Sequence, residues 1–111
     1  MNEIPSIVIA AEADLYIQNN NDIMDALGAC FGATGILFTA DDFAPEFFDL
    51  RSGLLGELFQ KFTNYRKRVA IVLPDFAAYG ERFSQLAYEH RAHNLIRFFH
   101  TNEEAKSWLN K

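Results

Sequence analysis

Apolar residues recur along this chain in two rhythms, and their alternation predicts the architecture. Ile7-Val8-Ile9, within Ile4–Ala10, is short and β-branched and reads as a strand. Leu15-Tyr16-Ile17 reads as a second strand, paired with the first across Glu12-Ala13-Asp14. Asn19-Asn20-Asn21 supply turn and N-cap chemistry. Ile23, Leu27 and Phe31 follow four apart, with Met24 beside them, so an amphipathic helix is expected over Asp22–Phe31, ended by Gly32 and Gly35. Ile36-Leu37-Phe38 has no helical period and reads as a buried strand closed by Asp41-Asp42. Pro45-Glu46-Phe47-Phe48 predicts one helical turn with proline at its first position.

The clearest helix runs from Ser52 to Arg66. Leu54, Leu58, Phe62 and Tyr65 form one stripe, with Leu55 and Phe59 next to it, while Gly56, Glu57, Gln60, Lys61 and Asn64 face the other way. Glu57 and Lys61 stand in the favourable i,i+4 order. Val69-Ala70-Ile71-Val72-Leu73 is a central-looking strand stopped by Pro74. A helix over Gly80–His90 is expected to bury Phe83, Leu86 and Ala87, with Tyr79 beside them, and Leu95–Phe99 is the last strand. Thr101-Asn102-Glu103-Glu104 is a capping box that opens a terminal helix laying Ala105, Trp108 and Leu109 on the sheet. Apolar strands alternating with helices predict an α/β fold with a mostly parallel or mixed sheet, the mixed form being the one expected here: one domain over residues 1–111, with four or five strands and about four helices.

Composition narrows the function classes. Half of the 111 residues are hydrophobic and 23% are charged, so a packed core is expected rather than disorder. Fifteen acidic against ten basic residues leave a net charge of -5, the wrong sign for a nucleic-acid binder. The one tight basic cluster, Arg66-Lys67-Arg68, reads as a solvated turn after a helix C-terminus. A lone cysteine, Cys30, excludes an internal disulfide and a multi-cysteine zinc site, and beside Phe31 it reads as a packed thiol. The longest nearly apolar stretch, Gly28 to Phe38, is broken by Thr34 and glycines and is far shorter than the ~18 residues of a membrane span. No targeting segment is visible at the start, and a cytoplasmic, non-membrane protein is expected. Eleven phenylalanines make the core aromatic, and an exposed aromatic edge would favour a homodimer.

Four groups of residues invite chemistry. Arg51-Ser52-Gly53 lies where a loop hands over to the long helix, so the hydroxyl of Ser52 is placed near unpaired N–H groups and the positive end of the dipole. It is either the N-cap alone or a phosphorylation or anion site. Asp14, Asp41, Asp42 and Asp75 each follow a strand; they are either turn caps or carboxylates for Mg²⁺. His90 and His93, with His100 further on, have a spacing compatible with one helical face but lack a third placed ligand. The polar stripe Glu57, Gln60, Lys61 and Asn64 is a solvated face that continues from Ser52. No turn motif makes Ser84 or Cys30 a nucleophile, and no catalytic residue, metal ligand or cofactor is assigned.

Two resemblances extend this reading. Arg51 to Arg66, then Arg68-Val69-Ala70-Ile71-Val72, with Pro45-Glu46-Phe47-Phe48-Asp49-Leu50 as lead-in, resembles a bacterial family of unknown function, domain-of-unknown-function family 4180. Pro74-Asp75 stand where that family has Gly-Asp, and His90-Arg91 where it has small and amide residues. More distantly, the element order and Ser52-Gly53-Leu54 resemble the STAS (SpoIIAA-like) domains of anti-sigma-factor antagonists, whose phosphorylated serine precedes a Gly-Leu pair at the second helix. Arg51 replaces the serine common there, and Asp49 lies one residue further back than the usual acid. The resemblance implies a STAS-like, non-enzymatic regulatory domain that docks a protein partner through Arg51, Ser52, Gly53, Glu57, Gln60, Lys61 and Asn64, with Ser52 as the phosphorylation candidate. The rival reading is a small-molecule or anion-binding protein, or a Mg-dependent enzyme, using the same helix start. A receiver-like phosphoaspartate domain would need five βα units and a lysine after the fifth strand, which this chain does not offer.

Overall fold

β-branched and aromatic runs form four strands, each followed by a helix, in the computed structural model, which describes residues 7–111. β1 is Ile7–Ile9, β2 Gly35–Thr39, β3 Arg68–Val72 and β4 Ile96–Phe99. Residues 4–6 of the expected first strand lie outside the described residues. The helices are α1 (Asn20–Ala29), α2 (Leu54–Asn64), α3 (Glu81–Glu89) and α4 (Asn102–Leu109). Their caps follow the side-chain chemistry. Asn19 Oδ1 accepts the N–H of Asp22 at 3.0 Å, and Asp22 in turn accepts the N–H of Gln18. Thr101 Oγ1 accepts the N–H of Glu104 and donates to its carboxylate.

All four strands are parallel, in the order β1-β2-β3-β4. The expected mixed sheet and its fifth strand are therefore corrected. Leu15-Tyr16-Ile17 does not return to β1. Ala10 to Leu15 form a tight turn, with Leu15 N–H on Ala10 O and Asp14 at φ 56°, that carries the chain off the sheet. Ile17 makes an isolated parallel bridge to Phe43. Its alternation with exposed Tyr16 reflects one buried side chain, Ile17, rather than a sheet register.

Because the strand order never reverses, the handedness rule sends α1, α2 and α3 to one face. Ile36, Phe38, Val69, Ile71, Ile96 and Phe98 point there and meet Ile23, Leu27, Leu55, Leu58, Phe62, Phe83 and Ala87. The alternate residues Leu37, Ala70 and Val72 point to the opposite face, covered by Ala105, Trp108 and Leu109 of α4. With both faces covered, the strands read as continuous apolar runs. Gly35 is the point of closest approach: a Cβ there would lie 2.6 Å from Arg68 O and 2.9 Å from Leu109 Cδ2.

The phenylalanines build an aromatic core, with Phe43 stacked on Phe47 at 4.0 Å and tilted on Phe38 at 4.9 Å. Two helix-stripe expectations fail at helix ends. α1 stops at Ala29, so Phe31 falls beyond it and is 65% exposed, and Tyr65 past the end of α2 is 53% exposed. The two rings meet edge to face at 6.2 Å.

Candidate functional site

Between β2 and α2 the chain descends in three short 3-10 turns, at Ala40–Asp42, Pro45–Phe48 and Leu50–Ser52. Each has a local cause. Asp42 accepts the N–H and hydroxyl of Thr39 at 2.7 and 3.1 Å, proline starts the second turn, and Asp49 accepts the N–H of Arg51 at 3.0 Å. Ser52 thereby closes the third turn. It is not the N-cap of α2: Gly53 is, at φ 77°, a left-handed conformation that favours glycine. The expected cap is displaced by one residue because the turn before it is complete in itself. Ser52 still does part of the capping work, since its Oγ accepts the N–H of Leu54 at 3.2 Å. The residue is exposed, and its hydroxyl stands at the positive end of an eleven-residue helix.

Arg51 grips Asp49 with a fork: Nε to Oδ1 at 3.1 Å and a terminal nitrogen to Oδ2 at 3.2 Å. These side-chain bonds first, and the Arg51 N–H second, hold the Asp49 carboxyl below its usual range; the same side-chain bonds, and then the charge of Asp49, raise the guanidinium. The Arg51 side chain is 91% exposed, so the pair orients the turn more than it stabilises the fold. Beside it lies an open hollow of ≈ 390 Å³ between this turn and the start of α3. Phe48, Leu50, Tyr79 and Phe83 form its apolar floor, with Phe48 and Tyr79 stacked at 4.1 Å. Asp49, Arg51, Glu81 and Arg82 stand among its lining. From Gly53 onward, helical spacing puts Glu57, Gln60, Lys61 and Asn64 along one side of α2, and Lys61 pairs with Glu57 at 3.6 Å. Arg51, Ser52 and Gly53 thus adjoin the hollow, and the polar stripe leads away from it. Sequence reasoning missed Phe48, Tyr79 and Arg82 as neighbours of this site, because two segments about thirty residues apart in the chain form it.

Of the other expected groups, Asp42 and Asp75 hold turns. Asp42 is buried on Thr39, Asp75 accepts the N–H of Ala77 at 3.0 Å, and Asp14 and Asp41 are exposed in separate turns. Among the described residues no group of three or more His, Cys, Asp or Glu is placed to hold a metal ion. His90 and His93 do not share a helical face, since α3 ends at Glu89. His93 Nδ1 accepts the N–H groups of Leu95 and Ile96, both at 3.1 Å, which shapes the turn into β4. Burial, then the neighbouring His90 and Arg97, push its pKa down. His100 stacks on Phe76 at 4.2 Å. Burial pushes the Cys30 thiol up to about 11, away from reactive chemistry. No helix among the described residues is long and apolar enough to cross a membrane.

Comparison with curated proteins and with solved structures finds no match. The family described as "Domain of unknown function (DUF4180)" matches residues 2–109, nearly the whole length, and the chain belongs to that family.

Proposed function

We propose that this protein is a non-enzymatic regulatory domain that docks a protein partner where α2 begins. The observation that carries the reading is the apolar hollow of Phe48, Leu50, Tyr79 and Phe83 beside exposed Ser52. Leu50 keeps 37% of its surface in water there, and the nearby charges are of both signs. A partner segment that places an aliphatic or aromatic side chain on Leu50 and Tyr79, and a carboxylate on Arg82, suits that chemistry. The STAS-like reading rests on the element order and on Ser52-Gly53-Leu54.

A phosphate on Ser52 would add ~2 negative charges at the positive end of α2. It would draw Arg51 from Asp49 and repel that carboxylate, which changes the charge bordering the hollow without disturbing the core. The test has two parts. Protein recovered from its native host is expected to carry one phosphate, localised to Ser52. A partner captured by the wild type is expected to be lost with Leu50→Glu and altered by Ser52→Asp. A partner retained equally by wild type, Leu50→Glu, Ser52→Asp and Lys61→Glu would remove the docking surface from α2.

The volume of the hollow favours a second reading, a small-molecule or anion site that includes Arg51, Ser52 and Gly53. Thermal shift with phosphorylated metabolites separates the two. A saturable shift abolished by Arg51→Ala and Arg82→Ala together would select the ligand.

A further inference from the structure

At the opposite, amino end of the sheet, the basic cluster does something a solvated turn does not require. A second hollow, of ≈ 380 Å³, is lined by Ala33, Thr34, Leu95 and four cations, Arg66, Lys67, Arg68 and Lys111. Those four are drawn from only ten Lys and Arg residues in a chain of net charge -5, and no Asp or Glu side chain lines the hollow. The ion pairs of the described residues, Arg51–Asp49 and Lys61–Glu57, lie elsewhere.

Arg66 is the telling residue. α2 ends in a Schellman motif, with Lys67 N–H on Phe62 O at 3.0 Å and Arg66 N–H on Thr63 O at 3.1 Å. The left-handed position of that motif normally holds glycine, yet Arg66 occupies it at φ 54°. An arginine thus stands where glycine would close the helix at lower cost. Arg68 is engaged with the main-chain oxygens of Trp108 and Lys111, both at 3.0 Å. Lys67 Nζ donates one bond, to Ala33 O at 2.9 Å, and an ammonium has three donors. The exposed Phe31–Tyr65 ring pair lies within two residues, along the chain, of the lining residues Ala33 and Arg66.

We infer that this hollow binds a small phosphorylated compound that carries a ring: Arg66, Lys67 and Lys111 hold the phosphate, and Phe31 and Tyr65 take the ring. The overall negative charge opposes a long polyanion, which feels the whole surface. A compact ligand within a Debye length of ~8 Å feels mainly the local cations.

Isothermal titration with ADP, inorganic pyrophosphate and a ten-residue single-stranded oligo(dT) tests this. ADP is expected to bind saturably and more tightly than pyrophosphate. Arg66→Gly, which relieves the backbone, is expected to weaken ADP at least tenfold while leaving the melting temperature unchanged or raised. Lys111→Gln is expected to weaken both phosphate ligands, and Phe31→Ser to weaken ADP alone. Absence of saturable ADP binding, equal affinity of wild type and Arg66→Gly, equal affinity for ADP and pyrophosphate, or tighter binding of the oligonucleotide than of ADP would each overturn the proposal.

Discussion

The two ends of the sheet are held by different kinds of bond. At the amino end three polar side-chain bonds reach far along the sequence, Lys67 to Ala33, 34 residues away, and Arg68 to Trp108 and Lys111, 40 and 43 residues away, beside the local bonds that His93 makes with Leu95, Ile96 and Arg97. At the carboxyl end they are nearly all local. Asp42 bonds Thr39, Asp49 bonds Arg51, Ser52 bonds Leu54 and Asp75 bonds Ala77, each across two or three residues, with His100 on Pro74 O as the long-range exception. Long-range bonds tie α4 and β3 together, so losing one loosens the tertiary structure. Local bonds each hold one turn, so that turn can change while the core stays intact. A docking and switching surface suits the second arrangement, and a rigid cation cradle suits the first.

The largest effect is expected at the amino end. Gly35→Ala forces a Cβ against Arg68 O and Leu109 and should cost about 3 kcal/mol in urea denaturation. Arg68→Ala removes two hydrogen bonds to main-chain oxygens and a guanidinium 5.4 Å from the centre of the Trp108 ring; a loss of about 2 kcal/mol is expected. His93 gives that end a pH dependence. Its folded pKa lies below the ordinary 6.5, so on acidification the unfolded chain takes up the proton first. The stability contributed by neutral His93 is present above pH 6.5, is lost as pH falls from there through the folded pKa, and levels off below it. His93→Gln should flatten that part of the stability profile. At the carboxyl end the changes are smaller. Ser52→Ala removes one bond at the helix start and should cost about 0.5 kcal/mol. Arg51→Ala should leave the denaturation midpoint unchanged, since the pair is exposed and an exposed ion pair adds little stability.

Much of this contrast was legible in the residues. Ile36-Leu37-Phe38 and Val69–Val72 announce buried strands because both sheet faces are covered; of the stripe Leu54, Leu58, Phe62 and Tyr65, Leu58 and Phe62 are buried, while Leu55, placed beside it, is buried and Tyr65 is not. Period-two alternation misled at Leu15–Ile17, where one residue dips into the core without joining a sheet. Ser52 was placed correctly at the mouth of α2 but one residue from the cap, because a left-handed Gly53 is invisible to periodicity. Both hollows escaped the pattern for the same reason: Phe48 meets Tyr79, and Arg66 shares its hollow with Lys111, through packing rather than spacing.

Native-state hydrogen exchange, read residue by residue, tests the contrast most directly. The amides of Arg51 and Leu54, bonded to Asp49 and Ser52, should exchange through local openings far cheaper than global unfolding, and those of Arg68 and Val69, bonded to Thr34 O and Leu95 O, only with the whole molecule. Equal protection at both ends would contradict the account: the turns around Ser52 would then be part of the rigid frame, unable to shift for a partner or a phosphate.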